Sequence, residues 1–166
     1  GVFVHDQATP EQFTKKIAFN VIPHIDVFMD DGFTKEEWKM RVKKKKILDP
    51  NIDLVAHCVR VPVFIGHSAA VFFECKKAIE EKQVRSILRD ADGVTVIDHR
   101  ANEGYVTPDE VAGEDDIYIS RIRKDPTVKN GMVFWSVGDN LRKGAALNTV
   151  QIAELLASKK LKGSKL

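Results

Sequence analysis

The run DIYISRIRKDPTVKNGMVFWSVGDNLRKGAALNTVQIAELLASKK, residues 116–160, holds both kinds of patterning that decide this fold. Residues 116–123 and 131–139 are short apolar and alternating runs and read as strands. From residue 140 the pattern changes. Ala145, Ala146, Val150, Ile152, Ala153 and Leu156 give a wide apolar face at helical spacing. Strands are therefore followed by a long helix, and the chain shows no regular α/β alternation.

Working outward, further strands are expected at 16–22, 54–65, 70–77 and 94–98, the second of them bent, bulged or at an edge where Pro62 interrupts it. Two more helices carry start or stop signals. In TKEEWKMRVKKKKIL (34–48), Thr34 and Glu37 form a capping-box pattern, and Asp49-Pro50 should end the helix. In EEKQVRSILRDADG (80–93), Val84, Ile87 and Leu88 share a face and Gly93 marks the end. Strands interrupted by a few long helices predict an α+β fold: a mixed, largely antiparallel sheet with helices packed on one face. No repeat, linker or low-complexity tract appears, so residues 1–166 are expected to form a single domain.

The chain has 43% apolar and 30% charged residues, the balance of a globular protein. Its 26 Lys and Arg against 24 Asp and Glu leave +2, too even for a dedicated nucleic-acid binder. No apolar run approaches the roughly 20 residues needed to span a bilayer, and the N-terminus lacks a secretory pattern; a cytoplasmic location is expected. The chain opens directly at Gly1, as if it were the later part of something larger. Cys58 and Cys75 form neither a CxxC pair nor a metal-ligand set and read as buried thiols.

The chemistry-bearing residues are few. His67, between Gly66 and Ser68, follows an apolar run at a glycine that permits a sharp reversal. It reads either as an acid–base imidazole in a pocket or as a structural histidine at a strand end. Arg60 lies within an apolar segment, where a guanidinium needs a partner: a ligand carboxylate or an internal acid. Seven extended residues would hold Arg60 and His67 about 23 Å apart, so only a bend at Pro62 or Gly66 lets them share a pocket.

Glu36 and Lys39 lie three apart on one helix face, either a surface ion pair or two contacts to one ligand. The run from Arg41 to Lys46 reads as a solvated basic face, with a phosphate-binding or targeting patch as the alternative. Asn140 is the expected N-cap of the last helix. Arg142 and Lys143 in its first turn oppose the helix dipole, which would suit a nearby anion such as a phosphate-bearing cofactor.

In CVRVPVFIGHS (58–68), DNLRKGAALNTVQIAELL (139–156) and IAFNVIPHIDVFMDDGFTKEEWKM (17–40) the chain closely resembles the aspartate-semialdehyde dehydrogenase family, over nearly its whole length. The part resembled is the C-terminal substrate-binding and dimerisation domain, glyceraldehyde-3-phosphate dehydrogenase-like in fold. It includes a return helix over 140–159 that packs on the cofactor domain. The resemblance implies NADPH-dependent reductive dephosphorylation of L-aspartyl 4-phosphate to L-aspartate 4-semialdehyde, on the route to lysine, threonine and methionine.

It also implies roles: His67 as acid–base catalyst, Arg60 on the substrate α-carboxylate, Glu36 on its amino group, Lys39 on phosphate and Asn140 at the nicotinamide end of NADP. No metal is implied. The expected partners are the small-molecule substrate and a second copy of the chain, with neither nucleic acid nor membrane.

The family's nucleophilic cysteine and glycine-rich NADP turn belong to an N-terminal part that these residues do not include, and neither Cys58 nor Cys75 matches the nucleophile's motif. The chain alone is therefore expected to be inactive. Lys43 and Ala69 stand where the family carries acids, and Lys44 where it carries threonine. Those departures leave open an alternative, a non-catalytic engineered binding or self-assembly scaffold derived from the same domain.

Overall fold

The computed structural model describes residues 10–163. Its backbone divides after Pro62 into two compact units, and each is described by itself.

The first unit is organised by helix α1, Lys35–Ile47. Thr34 starts it with a full capping box: its hydroxyl accepts from the Glu37 N–H at 3.4 Å, and the Glu37 carboxylate accepts from the Thr34 N–H at 2.8 Å. Before the helix, Phe28 and Thr34 form a bridge, and the turn between them closes through Gly32 with φ +83°. Ile22, 2% exposed, anchors the unit and pairs with Arg60 through two backbone hydrogen bonds of 2.9 and 2.8 Å.

The strands expected at 16–22 and 54–65 reduce to that single Ile22–Arg60 bridge. Two local effects break them. Asn20 uses its side chain on the Lys16 carbonyl and the Val21 N–H, which competes with a ladder. Pro23 and Pro62 remove backbone donors just past the paired residues. Apolar side chains that a sheet would cover, Val21 and Val55, are 56% and 78% exposed.

The second unit contains β1 (His67–Glu74), α2 (Glu81–Arg89), β2 (Val94–Val96), β3 (Ile117–Asp125), β4 (Gly131–Gly138) and α3 (Leu147–Gly163). The sheet order is β1-β4-β3-β2; β4 is antiparallel to both neighbours, while β2 runs parallel to β3. The expected mixed, largely antiparallel sheet is present. On one face Val84 of α2 packs with Ile119, Ile122 and Met132, and the rings of Phe73 and Phe134 meet at 5.7 Å. Each such fully buried apolar side chain contributes about 1.5–3 kcal/mol. Ile87, placed on that face by spacing, instead points outward at 61% exposure.

The opposite face is covered by Val106 and Val111, the latter in a short 3₁₀ turn at Pro108–Val111, packed on Val137 and Trp135. The Trp135 indole N–H donates to the Val106 carbonyl at 2.9 Å.

β3 carries a bulge between Ser120 and Arg123, with Arg121 at φ +59°. Asp98 holds it: its carboxylate accepts from the Arg121 and Ile122 N–H groups at 2.9 and 3.0 Å and pairs with Arg85 at 2.6 Å. α3 follows a π-helical turn at Arg142–Ala146 and leaves Val150, Leu155 and Leu156 more than half exposed.

Candidate functional site

In the first unit Lys39 is gripped by two carboxylates. Its ammonium lies 3.0 Å from Glu36 Oε2 and 2.8 Å from Asp26 Oδ2. The Glu36 contact follows from helix spacing. The Asp26 contact comes from a loop 13 residues earlier and has no signature in the local pattern. Asp26 sits in the left-handed region at φ +70°, and its other oxygen accepts the Val27 N–H at 2.9 Å. The Lys39 hydrogen bond, then the Val27 N–H, hold the Asp26 carboxyl below the usual range, and Asp26 followed by Glu36 raises the Lys39 ammonium.

Arg60 lies on the segment after Cys58, and that segment is fastened to α1 through Glu37. Glu37, 5% exposed, accepts the Cys58 N–H at 2.8 Å while also closing the capping box. Its carboxyl is held below the usual range by the Thr34 and Cys58 backbone donors, against the opposing effect of burial. The Arg60 guanidinium lies 5.0 Å from the centre of the Phe13 ring and makes no ion pair among the described residues. The internal salt bridge considered for it is therefore absent there.

Cys58 is half-buried rather than buried, as is Cys75. Burial, then the charges of Glu37 and Glu36, push the Cys58 thiol up, the wrong direction for a thiolate nucleophile.

The basic run is mostly solvated, with one exception. Lys44 is 6% exposed, and its Nζ has no hydrogen-bond partner among the described residues. It lies seven residues after Glu37 and so shares the buried face of α1.

In the second unit the chain reverses at Gly66, φ +102°, directly before exposed His67 at the start of β1. A Cβ at Gly66 would meet the Pro108 Cβ at 3.2 Å and carbonyl oxygen at 3.3 Å, so both the turn and the close approach call for glycine. The Gly66 N–H donates to Asn140 Oδ1 at 2.9 Å, which brings Asn140 next to the histidine's turn.

That contact corrects the expected role of Asn140 as N-cap. The cap is Asp139, 3% exposed, whose carboxylate accepts the Leu141 and Arg142 N–H groups at 2.7 and 3.1 Å and the Gly113 N–H at 2.8 Å. The Gly113 donor leads in holding this carboxyl below its usual range, with burial opposing. The awkward cations of the first turn are answered internally: Arg142 pairs with Asp115, and Lys143 donates to Gln151 at 2.7 Å. They supply no sign of a phosphate site.

Glu36 and Lys39 thus converge with Asp26 in one unit, and His67 and Asn140 are joined through Gly66 in the other. Open hollows in the second unit lie by the β3–β4 hairpin and beside Asp98 and Arg100, away from every nominated residue. Among the described residues no cluster of three or more His, Cys, Asp or Glu could hold a metal, and no helix is long and apolar enough to cross a membrane. Sequence reasoning missed Asp26 and Asp139, and it read Glu37 through its capping box without the tie to Cys58.

Comparison with known proteins adds an independent line. A family profile described as semialdehyde dehydrogenase, dimerisation domain, matches residues 3–143. Aspartate-semialdehyde dehydrogenase of Aquifex aeolicus is 49% identical over 152 residues, covering 91% of this chain and 45% of that protein. The crystal structure of aspartate semialdehyde dehydrogenase II from Vibrio cholerae in complex with ASA superposes with a TM-score of 0.85 at 44% identity, over 91% of this chain and 45% of that one. The Candida albicans enzyme, solved with NADP, shares the fold at TM-score 0.68 and 22% identity, over 87% of this chain and 46% of its own. The chain spans somewhat under half the length of these relatives.

Proposed function

The chain belongs to the semialdehyde dehydrogenase dimerisation-domain family, and on that premise we propose that it supplies the substrate-binding half of an aspartate-semialdehyde dehydrogenase. The whole enzyme interconverts L-aspartate 4-semialdehyde and L-aspartyl 4-phosphate. The observation that carries this reading is the charge layout of the first unit. A carboxylate and an ammonium converge at Glu36 and Lys39, while the Arg60 guanidinium pairs with no acid among the described residues.

A substrate bearing a carboxylate, an ammonium and a phosphate calls for those groups: Arg60 for the α-carboxylate, Glu36 for the amino group and Lys39 for phosphate. His67, exposed at a strand end beyond a glycine reversal, is the proton carrier at the reacting carbonyl. Asn140 fits the cofactor's carboxamide. Its Oδ1 is taken by the Gly66 N–H, which orients the amide and leaves the Nδ2 donors for an acceptor. NADP, when bound to the whole enzyme, accepts or returns the hydride. The working form is a homodimer, and its place is the cytoplasm.

The test uses the full-length protein that carries this segment, with aspartate semialdehyde, phosphate and NADP. His67→Gln should lower kcat by about 100-fold or more, and Arg60→Ala should raise the KM for semialdehyde by about tenfold or more. Turnover that both variants leave unchanged overturns the proposal, as does NADP-dependent turnover by the 166-residue chain alone.

A further inference from the structure

The carboxylate and ammonium assigned to one ligand are already spent on each other: Glu36 Oε2 lies 3.0 Å from Lys39 Nζ. An i,i+3 pair on one helix face closes on itself unless something draws one partner off. Asp26 is placed to do so. Its Oδ2 lies 2.8 Å from the same nitrogen, nearer than Glu36. We propose that Asp26 is a positioning residue: it retains Lys39 so that Glu36 can turn to the substrate's ammonium group.

The geometry around Asp26 supports a held carboxylate rather than a casual surface contact. Its backbone takes the left-handed conformation, φ +70°, which only short polar side chains tolerate well among non-glycine residues. Its Oδ1 is occupied by the Val27 N–H, so Oδ2 is the oxygen turned to the lysine. The loop is in turn fastened to the helix it serves: the Val27 carbonyl accepts from the Lys35 N–H at 2.9 Å, and the Phe33 carbonyl accepts from the Met29 N–H at 2.8 Å. Loop and helix start therefore fix Asp26 relative to Lys39.

An ammonium has three donors. With Asp26 and Glu36 each taking one, a third is open to an anion, and a second is released when Glu36 leaves. Lys39 then stays charged and located while the site changes hands. Without Asp26 the lysine's remaining carboxylate among the described residues is Glu36, and substrate ammonium must compete with it.

This inference rests on the roles proposed above for Glu36 and Lys39, and the experiment separates the two. In the full-length enzyme, the KM values for aspartate semialdehyde and for phosphate are measured separately. Asp26→Asn preserves the left-handed backbone and the Oδ1 acceptor. It should raise the semialdehyde KM by about fivefold, the scale of losing free access to one charged hydrogen bond. The phosphate KM should move by less than about twofold. Asp26→Glu, which keeps the charge, should recover much of the loss.

The double variant Asp26→Asn/Lys39→Ala should behave as Lys39→Ala alone, since no lysine then occupies Glu36. Additive effects, or an Asp26→Asn variant unchanged in both KM values, overturn the role of Asp26. If Asp26→Asn does not fold, Asp26→Ser in the Lys39→Ala background decides: any further rise in the semialdehyde KM overturns it. Should Glu36→Gln and Lys39→Ala themselves leave both KM values unchanged, the substrate assignment fails instead.

Discussion

Replacing Asp98 with asparagine should destabilise the chain by about 3 kcal/mol. The Asp98 side chain is 2% exposed and takes three donors: Arg121 N–H at 2.9 Å, Ile122 N–H at 3.0 Å and Arg85 Nη2 at 2.6 Å. Asparagine keeps one acceptor oxygen and turns the other into a donor, which faces either a guanidinium or a backbone N–H. Removing one member of a buried pair typically costs about 3–5 kcal/mol. The low end applies, because Arg85 keeps Glu81 at 2.9 Å and the Ile122 carbonyl at 3.2 Å.

The assay is urea unfolding of wild type and variant at neutral pH, with the midpoint falling and the slope unchanged. In a domain of this size the melting temperature falls by about 10 °C. The pH dependence is a second check. Burial pulls the Asp98 carboxyl up, but the Arg121, Arg85 and Ile122 hydrogen bonds outweigh it and hold the group below its usual range. A carboxyl depressed by folding contributes stability that is complete above its unfolded pKa of about 3.9 and is lost as pH falls through the folded value. The gap between wild type and variant should therefore narrow below about pH 4. A loss under about 1 kcal/mol, or a gap that stays constant into acid, refutes the assignment of Asp98 as the holder of the bulge.

Lys44→Met should stabilise the chain by about 1 kcal/mol, because it removes a buried ammonium that has no hydrogen-bond partner among the described residues while filling similar volume; a lower urea midpoint contradicts this. Gly66→Ala should cost about 1–2 kcal/mol in the same assay, from the left-handed φ of +102° and the 3.2 Å approach to Pro108; a neutral effect means the turn relaxes without it.

The local signals in the chain were sufficient for its helices and for most of its sheet. The capping box at Thr34 and Glu37 set the start of α1, and the short runs at 116–123 and 131–139 became β3 and β4. Local apolarity failed at 16–22 and 54–65, where proline and asparagine chemistry left only the Ile22–Arg60 bridge. A strand exists only with a neighbour, and composition does not name one. The same limit governed the caps. Asp139 and Asn140 are adjacent, and sequence could not say which side chain turns to the helix and which turns to Gly66.

What the sequence by itself determined is the set of chemical groups and their helical or glycine-turn settings: Glu36 and Lys39 three apart on α1, and His67 beyond Gly66. Only the tertiary structure decided which of those groups are engaged. Lys39 turned out to be shared with Asp26, Arg60 to pair with a ring rather than an acid among the described residues, and Lys44 to be buried within a run of otherwise solvated lysines. The reason is physical: backbone propensity acts over a few residues, whereas ion pairing and burial depend on which distant segment arrives within a few ångströms.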